Sequence, residues 1–144
     1  MEAVARVCTD YKNKVTFRLT ITSLAEAQSV LWEKYAPLPA ERIATLKLLF
    51  EQGFRTEVFA EPLLQGAGSA MDIYNSVYPY VTESICFGAM NMVDKRVDTT
   101  DPVYADAVAN IRRYQSDNNL LFLYNSMKDL PKVTFKNSIA KFGR

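Results

Sequence analysis

Residues 15–22 read VTFRLTIT, so apolar and polar side chains alternate along the whole segment. A period of two with several β-branched residues predicts a β-strand that has one apolar and one polar face. Arg18 and Thr20 lie on the polar face. Strands of a parallel sheet that helices cover on both sides are apolar throughout. The polar face of this strand therefore points either into a ligand cavity, as in the wall of a barrel, or to solvent.

Two further strands are predicted downstream. Residues 55–61 form the second strand, which carries Glu57 and Glu61 on one face and ends before Pro62, a residue with no N–H to give to a ladder. Residues 84–89 form the third strand. Residues 132–135 are expected to be a short extended piece near the end of the chain.

Helical segments alternate with these strands. The apolar spacing predicts helices over residues 40–52, 70–78, 102–114 and 117–128, with helical turns within 23–35. A crossover helix returns the chain to the same end of the sheet, so successive strands pair in parallel. The sequence thus predicts an α/β fold of three βα units over residues 1–115, with residues 116–144 as a C-terminal helical extension of the same domain.

Residue types at the helix ends support these boundaries. Pro39 suits the first turn of its helix, and Gly53 suits the left-handed position just past the end. Ser69 indicates a capping box at the start of the next helix, and Asp101 indicates an N-cap.

The first residues of the chain are also predicted to be helical. Residues 2–11 have the pattern of the end of a helix with Val4 and Val7 on one side. A chain that begins within a helix leads us to expect further sequence upstream.

The composition is that of an ordinary globular protein, with 49% apolar and 23% charged residues in a chain of 144. A net charge of +1 gives no electrostatic footprint for nucleic acid, and the basic residues of 128–144 are expected to form a solvated tail. The sequence lacks the run of about 18 apolar residues that a membrane-spanning helix needs. The first residues lack the pattern of a secretory signal. We therefore expect a cytoplasmic protein that contacts no membrane.

The sequence excludes several kinds of chemistry. Histidine is absent, which removes the commonest general base and every metal site that depends on histidine. Cys8 and Cys86 are the only cysteines and do not form the pattern of a disulfide framework. The run QGAG at 65–68 has two glycines and lacks the Lys-Ser/Thr of a phosphate-binding loop.

A series of short motifs runs in register along the chain. They are Phe17 with Thr20-Ile21 and Ser23, Trp32-Glu33, Ala36-Pro37, Glu41-Arg42, Gly53-Phe54, Glu61-Pro62, PYVT at 79–82, Gly88 with Met90-Asn91, YN at 124–125, KV at 132–133 and KNSI at 136–139. Together they resemble a subfamily of radical S-adenosylmethionine (radical SAM) proteins, the one related to spore photoproduct lyase and DNA-repair photolyases. The similarity extends over essentially all of the chain.

The resemblance implies that the chain is the C-terminal half of a partial TIM-type barrel of six strands. In this family the N-terminal half carries three cysteines that hold a 4Fe–4S cluster, and SAM bound to that cluster is cleaved reductively to a 5′-deoxyadenosyl radical. Such a cluster needs closely spaced thiolates, which Cys8 and Cys86 are not. We therefore expect a fragment of a radical SAM enzyme that by itself holds no cluster and binds SAM very weakly or not at all. Its expected partner is the missing N-terminal half or a second copy.

The resemblance also implies a set of cofactor-binding residues at the ends of the strands, where barrels bind ligands. Thr20 and Ser23 are candidate contacts for the ribose or carboxylate of SAM. Glu61 is a candidate for a polar group of SAM or substrate, and Gly88 to Asn91 lies where adenine packs. Each has an alternative role, because Thr20 and Ser23 can satisfy local backbone groups and Glu61 can be a solvated carboxylate.

Three residues depart from the family pattern. Cys86 replaces a large aromatic residue, Ala89 replaces a lysine, and Phe59 replaces a small residue. Trp32 is expected to be a core anchor rather than a ligand contact. These departures keep a second hypothesis open, a standalone α/β interaction or assembly module without catalysis.

Overall fold

Four strands form one all-parallel sheet in a computed structural model that describes residues 2–143, with the side chains of residues 2 and 94 left out. The strands are β1 (Thr16–Thr20), β2 (Arg55–Ala60), β3 (Ile85–Phe87) and β4 (Val133–Phe135). Their order in the sheet, β1-β2-β3-β4, is their order in the chain. The α/β class and the parallel pairing predicted from the sequence are thereby confirmed.

The fourth strand corrects the prediction of a three-stranded sheet. Residues 133–135 pair with β3 in the register that places Ile85 beside Val133. Backbone hydrogen bonds hold both ends of this pairing, from Ile85 N–H to Lys132 O at 2.8 Å and from Lys136 N–H to Phe87 O at 2.9 Å. A strand of three residues is too short to show a period of two, which is why it was predicted only as an extended piece. Residues 116–144 thus supply an edge strand as well as helices.

Eight α-helices connect and flank the strands within the described residues. They are α1 (Glu2–Val7), α2 (Glu26–Trp32), α3 (Pro39–Glu51), α4 (Ala67–Val77), α5 (Val93–Arg96), α6 (Pro102–Tyr114), α7 (Asp117–Met127) and α8 (Asn137–Ala140), with 3-10 turns at Thr9–Tyr11, Tyr78–Tyr80 and Lys141–Gly143.

Most of the predicted helix ends are present. Pro39 begins α3, and Gly53 follows α3 with a φ of 78°, the left-handed conformation that glycine adopts without strain. At the start of α6 the Asp101 carboxylate accepts a hydrogen bond from Val103 N–H at 2.9 Å. The predicted start of α4 is wrong, because the helix begins earlier, after Gly66, and the Ser69 hydroxyl donates to a side chain instead of capping.

The side of α1 that carries Val4 and Val7 lies at the surface. Val4 and Val7 are 50% and 78% exposed, whereas Ala5 is buried against Leu49 and Phe54. The helix approaches its neighbours closely through its smallest side chain, which leaves the two valines outside.

The main apolar core lies between one face of the sheet and the helices α3, α4 and α7. Its buried residues include, on or just after the strands, Ile21, Val58, Ala60, Ile85 and Phe87 and, on the helices, Leu46, Ile73, Val77, Leu123 and Met127. Parallel neighbours joined by right-handed crossovers in chain order send each crossover helix to the same face. Burial of each of the larger of these side chains, which excludes Ala60, contributes roughly 1.5–3 kcal/mol to folding.

The opposite face of the sheet, here named the open face, carries polar and aromatic side chains. Its members are Thr16, Arg18 and Thr20 on β1, Arg55, Glu57 and Phe59 on β2, Cys86 on β3 and Thr134 on β4. All of these except Cys86 are exposed or half-buried. The one-sided polarity predicted for the first two strands is therefore observed.

Candidate ligand site at the carboxyl ends of the strands

A cavity of about 400 Å³ lies beyond the carboxyl ends of β1, β2 and β3. This strand-end cavity is lined by Thr22, Trp32, Glu33, Glu61, Pro62, Leu64, Ala89, Met90, Asn91 and Arg96. Its volume is within the range of small-molecule sites, roughly 300–1,000 Å³. Ligands of parallel α/β proteins bind at this end of the strands, so the position and the size both favour a binding site.

Glu33 is the most firmly held carboxylate of the strand-end cavity. Its Oε2 atom accepts hydrogen bonds from Thr22 Oγ1 at 3.1 Å and from Ser29 Oγ at 3.4 Å, and it pairs with Arg42 Nη2 at 2.7 Å. Several donors on one oxygen fix the position of the carboxylate. Among the described residues, every hydrogen bond to this side chain ends on Oε2, so Oε1 is the oxygen available to a bound molecule.

Arg42 ties three segments of the chain together beneath this carboxylate. Besides Glu33 it reaches two backbone carbonyls, Pro37 O from Nε at 2.7 Å and Thr20 O from Nη1 at 2.9 Å. Its side chain is only 10% exposed, and the contact with Glu33 is part-buried, whereas the two carbonyl contacts lie at the surface. The Arg42 guanidinium therefore brings together three of the short motifs, those at residues 32–33, 36–37 and 41–42. It also links the end of β1 to the start of α3.

Glu61 reaches the strand-end cavity from the end of β2. The peptide bond between Glu61 and Pro62 is cis, and the carboxylate lies 3.5 Å from Lys136 Nζ. Gly88 makes room for this pair, because a Cβ there would lie 2.8 Å from Glu61 Cγ and 3.0 Å from Lys136 Cγ. A side chain at residue 88 would displace one or both partners.

The five residues implied by the family resemblance fall into two groups. Glu61 and Asn91 line the strand-end cavity, and Gly88 packs directly against Glu61. Thr20 and Ser23 lie outside the lining. Thr20 is exposed on the open face, and the buried Ser23 hydroxyl donates to Gln65 Oε1 at 2.8 Å while it accepts from Ala25 N–H at 3.0 Å.

Several lining residues were not predicted as site residues. Thr22 lines the cavity in place of Thr20 and Ser23, and Arg96 enters it from the short helix α5. Trp32 was expected to be a core anchor, and it both contacts Tyr104 edge to face at 6.4 Å and lines the cavity. Its indole N–H is buried without a hydrogen-bond acceptor among the described residues.

The open face forms a second cluster, centred on Phe59. The Arg18 guanidinium lies 4.1 Å and the Lys136 ammonium 4.8 Å from the centre of its ring, which are cation–π distances. Arg18 also pairs with Glu57 at 2.6 Å. Cys86 is buried next to this cluster, and burial raises the pKa of its thiol. This thiol is therefore protonated and unreactive at neutral pH.

A 4Fe–4S cluster does not fit the side chains of this chain. Within residues 2–143 no group of three His, Cys, Asp or Glu side chains is placed to hold a metal ion. Cys8 packs beside α1 and Leu49, whereas Cys86 lies in β3. Two separated thiols cannot supply the ligands of such a cluster.

Comparisons with known proteins give no relative. No protein-family model, no curated protein and no solved structure matches this chain. None of the helices formed by the described residues is long and apolar enough to cross a membrane.

Proposed function

We propose that this chain is the C-terminal half of a radical SAM barrel and supplies part of the SAM-binding wall, while the cluster belongs to the other half. The observation that carries the proposal is the strand-end cavity. Three of its lining residues, Glu33, Glu61 and Asn91, belong to motifs of the family resemblance. The proposal assigns the chain no complete catalytic cycle of its own.

The winding of the sheet supports a barrel origin. Doubly wound α/β proteins reverse their strand order and cover both faces of the sheet with helices. Here the strands follow one another in chain order, and α3, α4 and α7 pack on one face. A barrel has this winding, and its second face becomes the interior. The polar residues of the open face, Arg18 and Glu57 among them, suit such an interior.

The chemistry of the strand-end cavity suits a polar cofactor with both donors and acceptors. Glu33 offers a fixed carboxylate oxygen, Asn91 offers an amide, and Arg96 offers a cation. Trp32 and Met90 add apolar surface for a flat ring. Cavities of this mixed kind orient a ligand by a few polar groups and gain affinity from apolar contact. When SAM is bound in a complete enzyme of this family, it supplies the radical that abstracts hydrogen from substrate.

Anaerobic reconstitution with iron and sulfide tests the assignment of the cluster to the other half. The purified chain is expected to stay colourless and to bind no stoichiometric iron, because its two thiols are far apart and Cys86 is buried. Iron counting and visible absorption measure this. A cluster of four irons per chain would contradict the proposal. The matched control for adventitious iron is the double variant that carries both Cys8→Ser and Cys86→Ser.

A further inference from the structure

We infer that two copies of this chain close into one eight-stranded parallel barrel, with each copy supplying half of the wall. The sheet has four strands, all parallel and in chain order, which is half the strand number of a closed (β/α)₈ barrel with the same winding. An eight-stranded barrel is just wide enough for its interior to be filled by side chains. The inference rests on the barrel geometry of the proposed function and concerns the chain by itself, because a second copy would occupy the place that the proposed function gives to the N-terminal half.

The two edges of the sheet are suited to each other. Ile21 N–H donates to Phe59 O at 2.9 Å, so by alternation the backbone groups of Thr20 point away from β2. The Thr20 carbonyl accepts from Arg42 Nη1 at 2.9 Å, so the Thr20 N–H is the group of this residue left for a second copy. At the other edge, Lys136 N–H donates to Phe87 O at 2.9 Å, so the N–H of Phe135 points away from β3. A two-fold axis parallel to the strands sets β1 of one copy beside β4 of the other at both seams. All eight strands then remain parallel, and no edge is left exposed.

The charges of the open face are already neutralised within each copy. Arg18 pairs with Glu57 at 2.6 Å, and Lys136 pairs with Glu61 at 3.5 Å. Both cations also lie over the ring of Phe59. Burying an unpaired charge would cost several kcal/mol, whereas a paired and hydrogen-bonded charge avoids most of this cost. The open face can therefore become a barrel interior without leaving these charges unpaired.

Exposed apolar side chains lie at both ends of the helix layer. At the β1 end, α1 packs on the cluster of Leu49 and Phe54 and leaves Val7 78% exposed. At the β4 end, α7 contacts α4 and leaves Phe122 65% exposed. Closure of the barrel brings these two ends of the helix layer together at each seam, where apolar surface would be covered.

Sedimentation equilibrium with two variants at one edge position tests the inference. The wild-type chain is expected to have twice the 16.3 kDa mass of one chain. Thr20→Pro removes an outward N–H and leaves the hydrogen bonds to β2 in place, so it should weaken the dimer at least about tenfold. Thr20→Val keeps that N–H and nearly the shape of the side chain, and should leave the dimer unchanged. Circular dichroism and a cooperative melt show whether the proline variant is folded.

Hydrogen exchange at high and low protein concentration shows where the copies meet. Slower exchange confined to β1 and β4 at high concentration is expected. A monomeric wild type, a Thr20→Pro chain that stays dimeric, a larger oligomer, or protection on the helices alone would each overturn the inference. None of these outcomes bears on SAM binding, which is measured separately on the monomeric Thr20→Pro variant.

Discussion

Arg42 Nη2 lies 2.7 Å from Glu33 Oε2, and this ion pair joins the end of α2 to the start of α3 at the edge of the strand-end cavity. The pair is largely shielded from solvent, with 10% of the Arg42 side chain and 22% of the Glu33 side chain exposed. The same guanidinium holds the carbonyls of Thr20 and Pro37, so the residues that shape one wall of the cavity depend on one another.

Arg42→Ala should therefore lower the free energy of unfolding by about 2–3 kcal/mol, because it removes charged hydrogen bonds and leaves Glu33 without its partner. Arg42→Lys should recover only part of this loss, since an ammonium cannot reach three acceptors in the fork geometry of a guanidinium. Urea denaturation measures both. Lys47→Ala is the matched control, because its pair with Glu51 is exposed and 3.8 Å long, and should change the free energy by less than about 0.5 kcal/mol. Equal effects of Arg42→Ala and Lys47→Ala would contradict the account.

Gly88→Ala should destabilise the chain by about 1–3 kcal/mol through overpacking, since its Cβ would lie 2.8 Å from Glu61 Cγ. Gly68→Ala in α4 is the matched control. Its Cβ would meet no atom within 4 Å, and alanine in a helix is favoured over glycine by about 0.5–1 kcal/mol. Thermal denaturation is thus expected to move in opposite directions for the two variants. Stabilisation by Gly88→Ala would show that the Glu61–Lys136 contact is misplaced.

Glu83 should titrate far below an ordinary glutamate. The Arg55 guanidinium binds it through two hydrogen bonds, at 2.7 and 3.0 Å, and holds the pKa of this carboxyl at about 2. A lowered folded-state pKa contributes stability above the unfolded value, about 4.3, and this contribution is lost as the pH falls from there toward 2. Carboxyl NMR should show the shifted titration, and Glu83→Gln should remove this part of the acid sensitivity. The pair is on the surface, so high salt should weaken the effect. A Glu83 midpoint near 4.3 would contradict the pairing.

The two thiols should differ in reactivity with a disulfide reagent at pH 8. Cys86 is buried and its pKa is raised by burial, whereas Cys8 is only half-buried. We expect one thiol per chain to react quickly and the second to react only after unfolding. Cys8→Ser should remove the fast reaction and leave the slow one. Two fast thiols in the folded chain would show that the side chains around Cys86 do not bury its thiol.

The sequence predicts those strands and helices that show a regular pattern of apolar residues, and those helix ends that need a particular residue type. β1, β2 and β3 were predicted because each is long enough, or apolar enough, to show a strand pattern. Gly53 and Asp101 were predicted in their roles because few residue types suit a left-handed turn or an N-cap. The helix α5 has four residues and follows an irregular loop, so neither it nor Arg96 could be placed from a pattern.

The site was predicted in part for a similar reason. The family resemblance selected Glu61 and Asn91, and both line the cavity, which lies beyond the ends of the parallel strands. At the end of β1 the resemblance selected Thr20 and Ser23, whereas the structure brings Thr22 into the lining. Which residue past a strand end faces a cavity depends on how the loop turns. Here Ser23 is drawn to Gln65, a contact between residues distant in the sequence.

NMR titration of the single indole N–H with SAM tests the central claim most directly. Trp32 is the only tryptophan and lines the strand-end cavity, so one resonance reports on the site. We expect this resonance and the amides of Gly88 and Asn91 to shift with a Kd on the order of 1 mM, about −4 kcal/mol, because the proposed function gives the rest of the SAM site to another half of the barrel. Glu61→Gln should weaken the shifts and the exposed Glu26→Gln should not. A Trp32 resonance that stays in place at saturating SAM, or shifts that Glu61→Gln leaves unchanged, would contradict the assignment of this cavity to SAM.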